Sequence, residues 1–298
     1  MKVLTQNTAL ATFGHTIPAA FFTGGAFIAG VSAWLIVKNR DVEMAKPAAK
    51  LGLVTMIVSF LLVFVSGDIS SRVMTNQQPM KMAAAEALYT TQSGAPFSLF
   101  TVGTLDGSRP VFSIDLPSML SLLSTGNTKG VVQGVNDLEA KYKVQYGPGN
   151  YTPNIPLAYW SFRLMIGFGG LGLLFALLAL WRMRKGGLPK GRWFLPAMIS
   201  LPFLPLLANS LGWIFTETGR QPWAVFGLIK TADGVSPSVA AGNVAITMIG
   251  FTILYGILAV IEFGLIIRTI KVGPAPDEPQ RLETEFGGDT ERPLTMAY

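Results

Sequence analysis

Glu217 and Arg220 stand three residues apart where the apolar stretch Trp213-Ile214-Phe215-Thr216 gives way to Thr218-Gly219-Arg220-Gln221-Pro222-Trp223. If the helix runs that far, a spacing of three puts acid and base on one face. Charged groups at the lip of an apolar segment are costly, so they are candidates for binding or proton transfer. Pro222 should stop the helix, and Trp223 suits a bilayer interface. The single histidine, His15, lies in Phe13-Gly14-His15-Thr16. Neutral imidazole is a strong iron ligand, and haem is often held by histidine together with methionine. Tyr159-Trp160-Ser161-Phe162-Arg163-Leu164-Met165 offers a thioether at Met165 and a cation at Arg163. Two apart on a helix, Arg163 and Met165 point to nearly opposite faces, so the arginine serves a propionate or another partner rather than the same iron. Lys81 and Glu86 lie in 79–89, read as a helix with proline in its first turn. Five apart, they sit about 140° around that helix, too far for a standard ion pair but able to approach one ligand. Each residue also has a plainer reading: an interfacial histidine, a packing methionine, a structural clamp at 217 and 220, a solvated helix face at 81 and 86.

The elements that must position these groups are membrane helices. Of the 298 residues, 50% are hydrophobic and 13% charged, well below the charged share of a soluble protein. Uncharged stretches fall at 17–37, 51–66, 164–181, 193–215 and 235–261. A span needs about 20 such residues, so the second and third must extend over Lys50 and Arg163. The expected fold is all-α and polytopic, with about five transmembrane helices and a long external loop between the second and third. By region, 1–66 holds helices one and two, 67–155 the loop, 156–272 helices three to five, and 273–298 a disordered cytoplasmic tail, acidic and proline-bearing.

Orientation follows from basic residues. Lys38, Arg40, Lys46 and Lys50 share one side with Arg182, Arg184, Lys185, Lys190 and Arg192, and with Arg268 and Lys271. That side is cytoplasmic by the positive-inside rule, which leaves the N-terminus and the long loop outside. These flanks account for the net charge of +6, and no nucleic-acid partner is needed. No basic region precedes the first apolar run, so it is not read as a signal peptide. With no cysteine, the chain has neither disulfides nor thiolate metal sites. Depth counting puts His15 and Met165 at similar levels near the outer face, and glycines 24, 25 and 30 leave room for close packing or a flat cofactor.

The chain resembles subunit I of the cytochrome bd quinol oxidases. The resemblance rests on His15-Thr16, Lys81-Met82-Ala83-Ala84-Ala85-Glu86, Tyr151-Thr152-Pro153-Asn154, Phe162-Arg163-Leu164-Met165 and Glu217-Thr218-Gly219-Arg220-Gln221-Pro222-Trp223, in that order. It implies that His15 and Met165 are axial ligands of a low-spin haem b and that Arg163 lies beside that haem. It implies that Lys81 and Glu86 belong to a quinol-binding loop, with the acid taking a proton from quinol. Glu217 would serve a high-spin haem b and haem d pair as an iron ligand, with Arg220 and Trp223 lining that region. Such an enzyme oxidises quinol at the outer face of a bacterial cell membrane and reduces dioxygen to water with protons from the cytoplasm.

Two departures qualify the resemblance. Family members carry about four further helices before the one that holds His15, including a second haem-ligating histidine. This sequence therefore reads as the C-terminal portion of subunit I in its short-loop form. It is expected to need the N-terminal part of subunit I, subunit II and membrane lipid, and to be inactive without them. The alternatives are a haem-less remnant or assembly module, and, more distantly, a transporter that uses Glu217 and Arg220 for an anion.

Overall fold

The computed structural model describes residues 4–104, 109–184 and 192–273. The tail expected at 273–298, and Lys185 and Lys190 of the basic loop, fall outside these apart from Gly273. The chain divides into two compact units, Met1–Thr247 and Met248–Tyr298.

Among the described residues, five apolar segments are long enough to cross a membrane. They are α1 (Asn7–Val37), α2 (Val42–Gln77), α6 (Ile155–Met183), the pair α7 (Phe194–Ser200) and α8 (Phe203–Gly219), and α9 (Ala241–Val272). The two short runs do extend over charge: α2 carries Lys46 and Lys50 at one end and Asp68 and Arg72 at the other, and α6 carries Arg163. The fourth span is not the single helix expected. It breaks at Leu201 and Pro202, since proline has no N–H to donate and its ring crowds the preceding turn.

In the first unit α1 packs on α2, α2 on α6, α6 on α8, and α8 and α7 back on α1. These contacts close a ring that puts α1 and α6 on its diagonal. Small residues let the helices approach: Ala26, Ala29 and Ala33 meet Ala49, Leu53 and Met56, with Ala176 and Ala179 from α6. The tightest point is Gly25 against Gly52. A Cβ at Gly52 would lie 2.6 Å from the Gly25 carbonyl oxygen and 2.8 Å from the Ala29 nitrogen. Both are backbone atoms with no freedom to yield, so this contact sets the register of α1 on α2. Gly30 similarly lies under Pro202, at the break between α7 and α8. These two glycines serve packing, while Gly24 faces open space.

The bundle is all-α as expected, and the long segment between α2 and α6 adds short strands to its helices. It forms α3 (Pro79–Ala85), β1 (Gln92–Ser93), β2 (Phe97–Gly103), β3 (Pro110–Leu116), α4 (Met119–Thr125), β4 (Val131–Val132) and α5 (Val135–Tyr146). β2 pairs antiparallel with β3, and β1 with β4. Aromatic and β-branched residues (Phe97, Phe100, Thr101, Val102, Val111, Phe112, Ile114) favour strands there. A third small hairpin, β5 (Trp223–Val225) with β6 (Ile229–Lys230), follows α8.

α3 is shorter than expected and stops at Ala85. Leu88 donates its N–H to Ala83 at 2.9 Å and Ala87 donates to Ala84 at 3.3 Å, while Ala87 adopts a φ of 49°. This is a Schellman stop with alanine where glycine is usual. It makes Glu86 the C-terminal cap, turned out of the helix and into the protein.

Gly52→Ala should lower the melting temperature of the detergent-solubilised protein, by an overpacking cost of about 1–3 kcal/mol. Gly24→Ala, whose new methyl would meet no other element within 4 Å, should not lower it. Equal melting temperatures for the two variants would contradict the close contact.

Candidate functional site

The most deeply buried charges pair across the boundary between the intervening segment and the helix ring. Arg163 on α6 donates through Nη2 to Glu86 Oε2, and the two side chains are 8% and 2% exposed. Glu86 Oε2 also accepts the Ser98 N–H at 3.3 Å. The guanidinium is stacked among aromatic rings, 4.5 Å from the centroid of Phe97, 4.9 Å from Tyr159 and 5.2 Å from Phe162. Its Nε and Nη1 are buried with no partner. Burial pushes the Glu86 carboxyl up to about 7; the Arg163 charge and the bonds from Arg163 and Ser98 pull it down, and Asp115 adds to the rise. Glu86 is thus an acid that changes state near neutrality, joined to an arginine with two donors to spare. Beside it lies a cluster of buried hydroxyls in which Ser98 Oγ is 2.6 Å from Thr101 Oγ1 and 2.8 Å from Tyr159 Oη.

His15 and Met165 stand on α1 and α6, the diagonal helices of the ring. Both lie at the end that carries the segment 78–154: about 12 Å along α1 from Asn7 and about 15 Å along α6 from Ile155 at 1.5 Å per residue. His15 turns to α2, its Nδ1 3.2 Å from Ser66 Oγ. Met165 turns to α8, where a Cβ at Gly212 would come within 2.8 Å of its sulfur.

Glu217 and Arg220 form the expected pair. Arg220 Nη2 donates to Glu217 Oε2 at 2.5 Å and Nε donates to the same oxygen at 3.2 Å, each side chain being over a third exposed. α8 ends at Gly219, ahead of Pro222, and the turn is tied by Arg220 to the Ala224 carbonyl and by Thr231 to Gln221. Trp223 is not at a lipid interface. It is buried in an aromatic cluster, its ring centroid 4.9 Å from Tyr146 and 5.6 Å from Tyr151, because the β5–β6 hairpin folds it under α5.

A cavity of about 220 Å³ joins this turn to α3 and is lined by Gln78, Lys81, Arg220, Gln221 and Trp223 among others. Lys81 points across it, its Nζ 3.5 Å from the Thr216 carbonyl oxygen and 4.9 Å from the Phe215 ring centroid. Burial lowers its amine to about 8, Arg220 adds to the fall and Glu217 opposes it. Lys81 and Glu86 therefore leave α3 on different flanks, one into the cavity with Arg220, the other onto Arg163. Gln78, Ser66 and the Ser98 cluster carry no sequence signal of their own; a lone hydroxyl or amide shows its role only when a partner from another element arrives.

The model of the family described as cytochrome bd terminal oxidase subunit I matches residues 1–274. The chain belongs to that family. It is 41% identical over 267 residues to the cytochrome bd ubiquinol oxidase subunit 1 of Bacillus subtilis strain 168, covering 89% of this chain and 57% of the relative. It is 28% identical over 333 residues to the cytochrome bd-II ubiquinol oxidase subunit 1 of Escherichia coli K12, covering 92% of this chain and 64% of that one. The bd oxidase structure from Geobacillus thermodenitrificans superposes with a TM-score of 0.76 at 24% identity, covering 90% of this chain and 59% of the other. The chain thus spans about three fifths of the length of these relatives and shares their fold as a multi-pass membrane protein.

In infrared difference spectra, a protonated-carboxyl band absent from Glu86→Gln should grow as pH falls through about 7. In Arg163→Leu its midpoint should move up by roughly 1–3 units, because burial then acts without the opposing cation. An unmoved midpoint would show that the ion pair does not govern Glu86.

Proposed function

We propose that this chain is part of a respiratory quinol:dioxygen oxidoreductase of the cytochrome bd type in a bacterial cell membrane. Such an enzyme oxidises quinol at the outer face; here a low-spin haem b held by His15 and Met165 would supply one-electron transfer, and a high-spin haem b and haem d pair served by Glu217 would supply the reduction of dioxygen to water. The observation that carries this reading is the buried Arg163–Glu86 pair, which ties an acid near neutrality to a helix that presents a methionine two residues on.

The residues fit the haem. Imidazole and thioether are the donor set of low-spin haem with moderately high potential, and the two unpartnered donors of Arg163 suit a propionate. His15 and Met165 would hold the iron, and the group would supply one-electron transfer. The chain's own residues handle protons and position. Glu86 keeps Oε2 on Arg163 and Ser98, which leaves Oε1 to take a proton from the quinol hydroxyl. On the other flank of α3 Lys81, cationic at neutral pH, and Arg220 give the cavity a positive lining that favours an anionic group of a ligand. Taking the proton neutralises Glu86 and leaves the Arg163 charge unopposed, which favours arrival of an electron nearby. Glu217 would serve the high-spin pair, with Arg220 aiming its side chain and Trp223 closing that side.

The basic flanks at 38–50, at 182, 184 and 192, and at 268 and 271 support an outer position for the N-terminus and for the segment 78–154. Subunit II, the N-terminal part of subunit I and membrane lipid are the proposed partners.

His15→Ala and Met165→Ala, each in the oxidase assembled in its native membrane, should abolish the low-spin haem b band in reduced-minus-oxidised spectra. A full band in His15→Ala would overturn the reading.

A further inference from the structure

Ser66 has one hydroxyl proton and three neighbours that compete for it. Its Oγ lies 2.7 Å from the Leu62 carbonyl oxygen, 3.1 Å from the Val63 carbonyl oxygen and 3.2 Å from His15 Nδ1. The carbonyls can only accept, and Leu62 is nearest, so the proton goes back to the helix, as serine commonly does in apolar helices. Toward His15, Ser66 Oγ is then an acceptor. That acceptor fixes the ring proton on Nδ1. The lone pair is left on Nε2, the only form in which a neutral imidazole can bind iron through that atom.

The ring is also fixed in space. A Cβ at Gly67 would lie 3.5 Å from His15 Cε1 and 3.8 Å from Nδ1, so this edge of the imidazole rests against α2. The Gly25–Gly52 contact holds the register that brings the two together.

We infer that Ser66 is the positioning residue of His15: it holds the Nδ1–H tautomer, aims Nε2 at the haem iron and raises the basicity of the ligand. The inference rests on the reading of His15 as a haem ligand. A histidine that donates its second N–H to an acceptor is a stronger donor to its metal. Ser66 therefore favours the ferric haem, and its loss shifts the equilibrium toward the ferrous form.

The test is a redox titration of the low-spin haem b, with its electron paramagnetic resonance signal, in the membrane-assembled oxidase. Ser66→Ala should keep the low-spin band, raise its midpoint potential and alter the g-anisotropy. Ser66→Thr, which keeps the hydroxyl, should return both toward wild type. Ser66→Ala that titrates at the wild-type potential with an unchanged signal overturns the inference. Loss of haem in Ser66→Ala but not in Ser66→Thr supports it; loss in both shows that packing rather than the hydrogen bond matters, and overturns it. His15→Ala separates the two levels. If it retains low-spin haem, the ligand reading itself fails; if it loses the haem while Ser66→Ala matches wild type, only the role of Ser66 fails.

Discussion

A guanidinium does not give up its proton, so a fold that buries one must keep an anion beside it. Arg163 is buried to 8% exposure, and Glu86 is the anion, drawn from a short helix 77 positions earlier in the chain. Much of the local architecture follows from that requirement. α3 must stop at Ala85 so that Glu86 leaves the helix axis, and an alanine is held at positive φ to make the stop. β2 must run close enough to lend the Ser98 N–H and to set Phe97 over the guanidinium. Removing one partner of such a pair typically costs about 3–5 kcal/mol, because the survivor is stranded away from water.

The same pair gives the site its logic. Glu86 accepts a proton only because burial has raised its carboxyl, and it remains an ion at all only because Arg163 opposes that rise. In the proposed function, proton uptake on one side of the arginine and charge change on the other would be coupled by a single Coulomb interaction in a poorly screened setting. The helix ring contributes rigidity. Its small-residue seam keeps α1 and α2 in register, so that His15 meets Ser66, while α8 supports Met165.

How much of this could be read from the chain alone depended on sequence distance. The five spans, their extension over Lys50 and Arg163, and the Glu217–Arg220 pair follow from periodicity and spacing, which are local signals. The break between α7 and α8 was also local; Pro202 marked it, but an unbroken apolar run outweighed the proline. The strands at 97–103 and 110–116 were hidden because a long loop between membrane helices was read for turns and helices and not for alternation. Trp223 was set at a lipid interface because tryptophan favours one; the β5–β6 hairpin and α5, invisible in its neighbours, bury it instead. No spacing rule joins residues 86 and 163, or 15 and 66. Those contacts exist only once the ring has closed, and so the roles of Ser66 and Ser98 had no signature. Alanine at position 87, in place of the glycine that commonly marks a helix stop, concealed the end of α3.

The most direct measurement is the midpoint potential of the low-spin haem b as a function of pH, in the assembled oxidase and in its Glu86→Gln variant. Deprotonating Glu86 adds a negative charge next to Arg163 and favours the oxidised iron. The potential should therefore fall as pH rises through about 7, and that dependence should vanish in Glu86→Gln. An identical pH dependence in the two proteins would contradict the coupling on which this account stands.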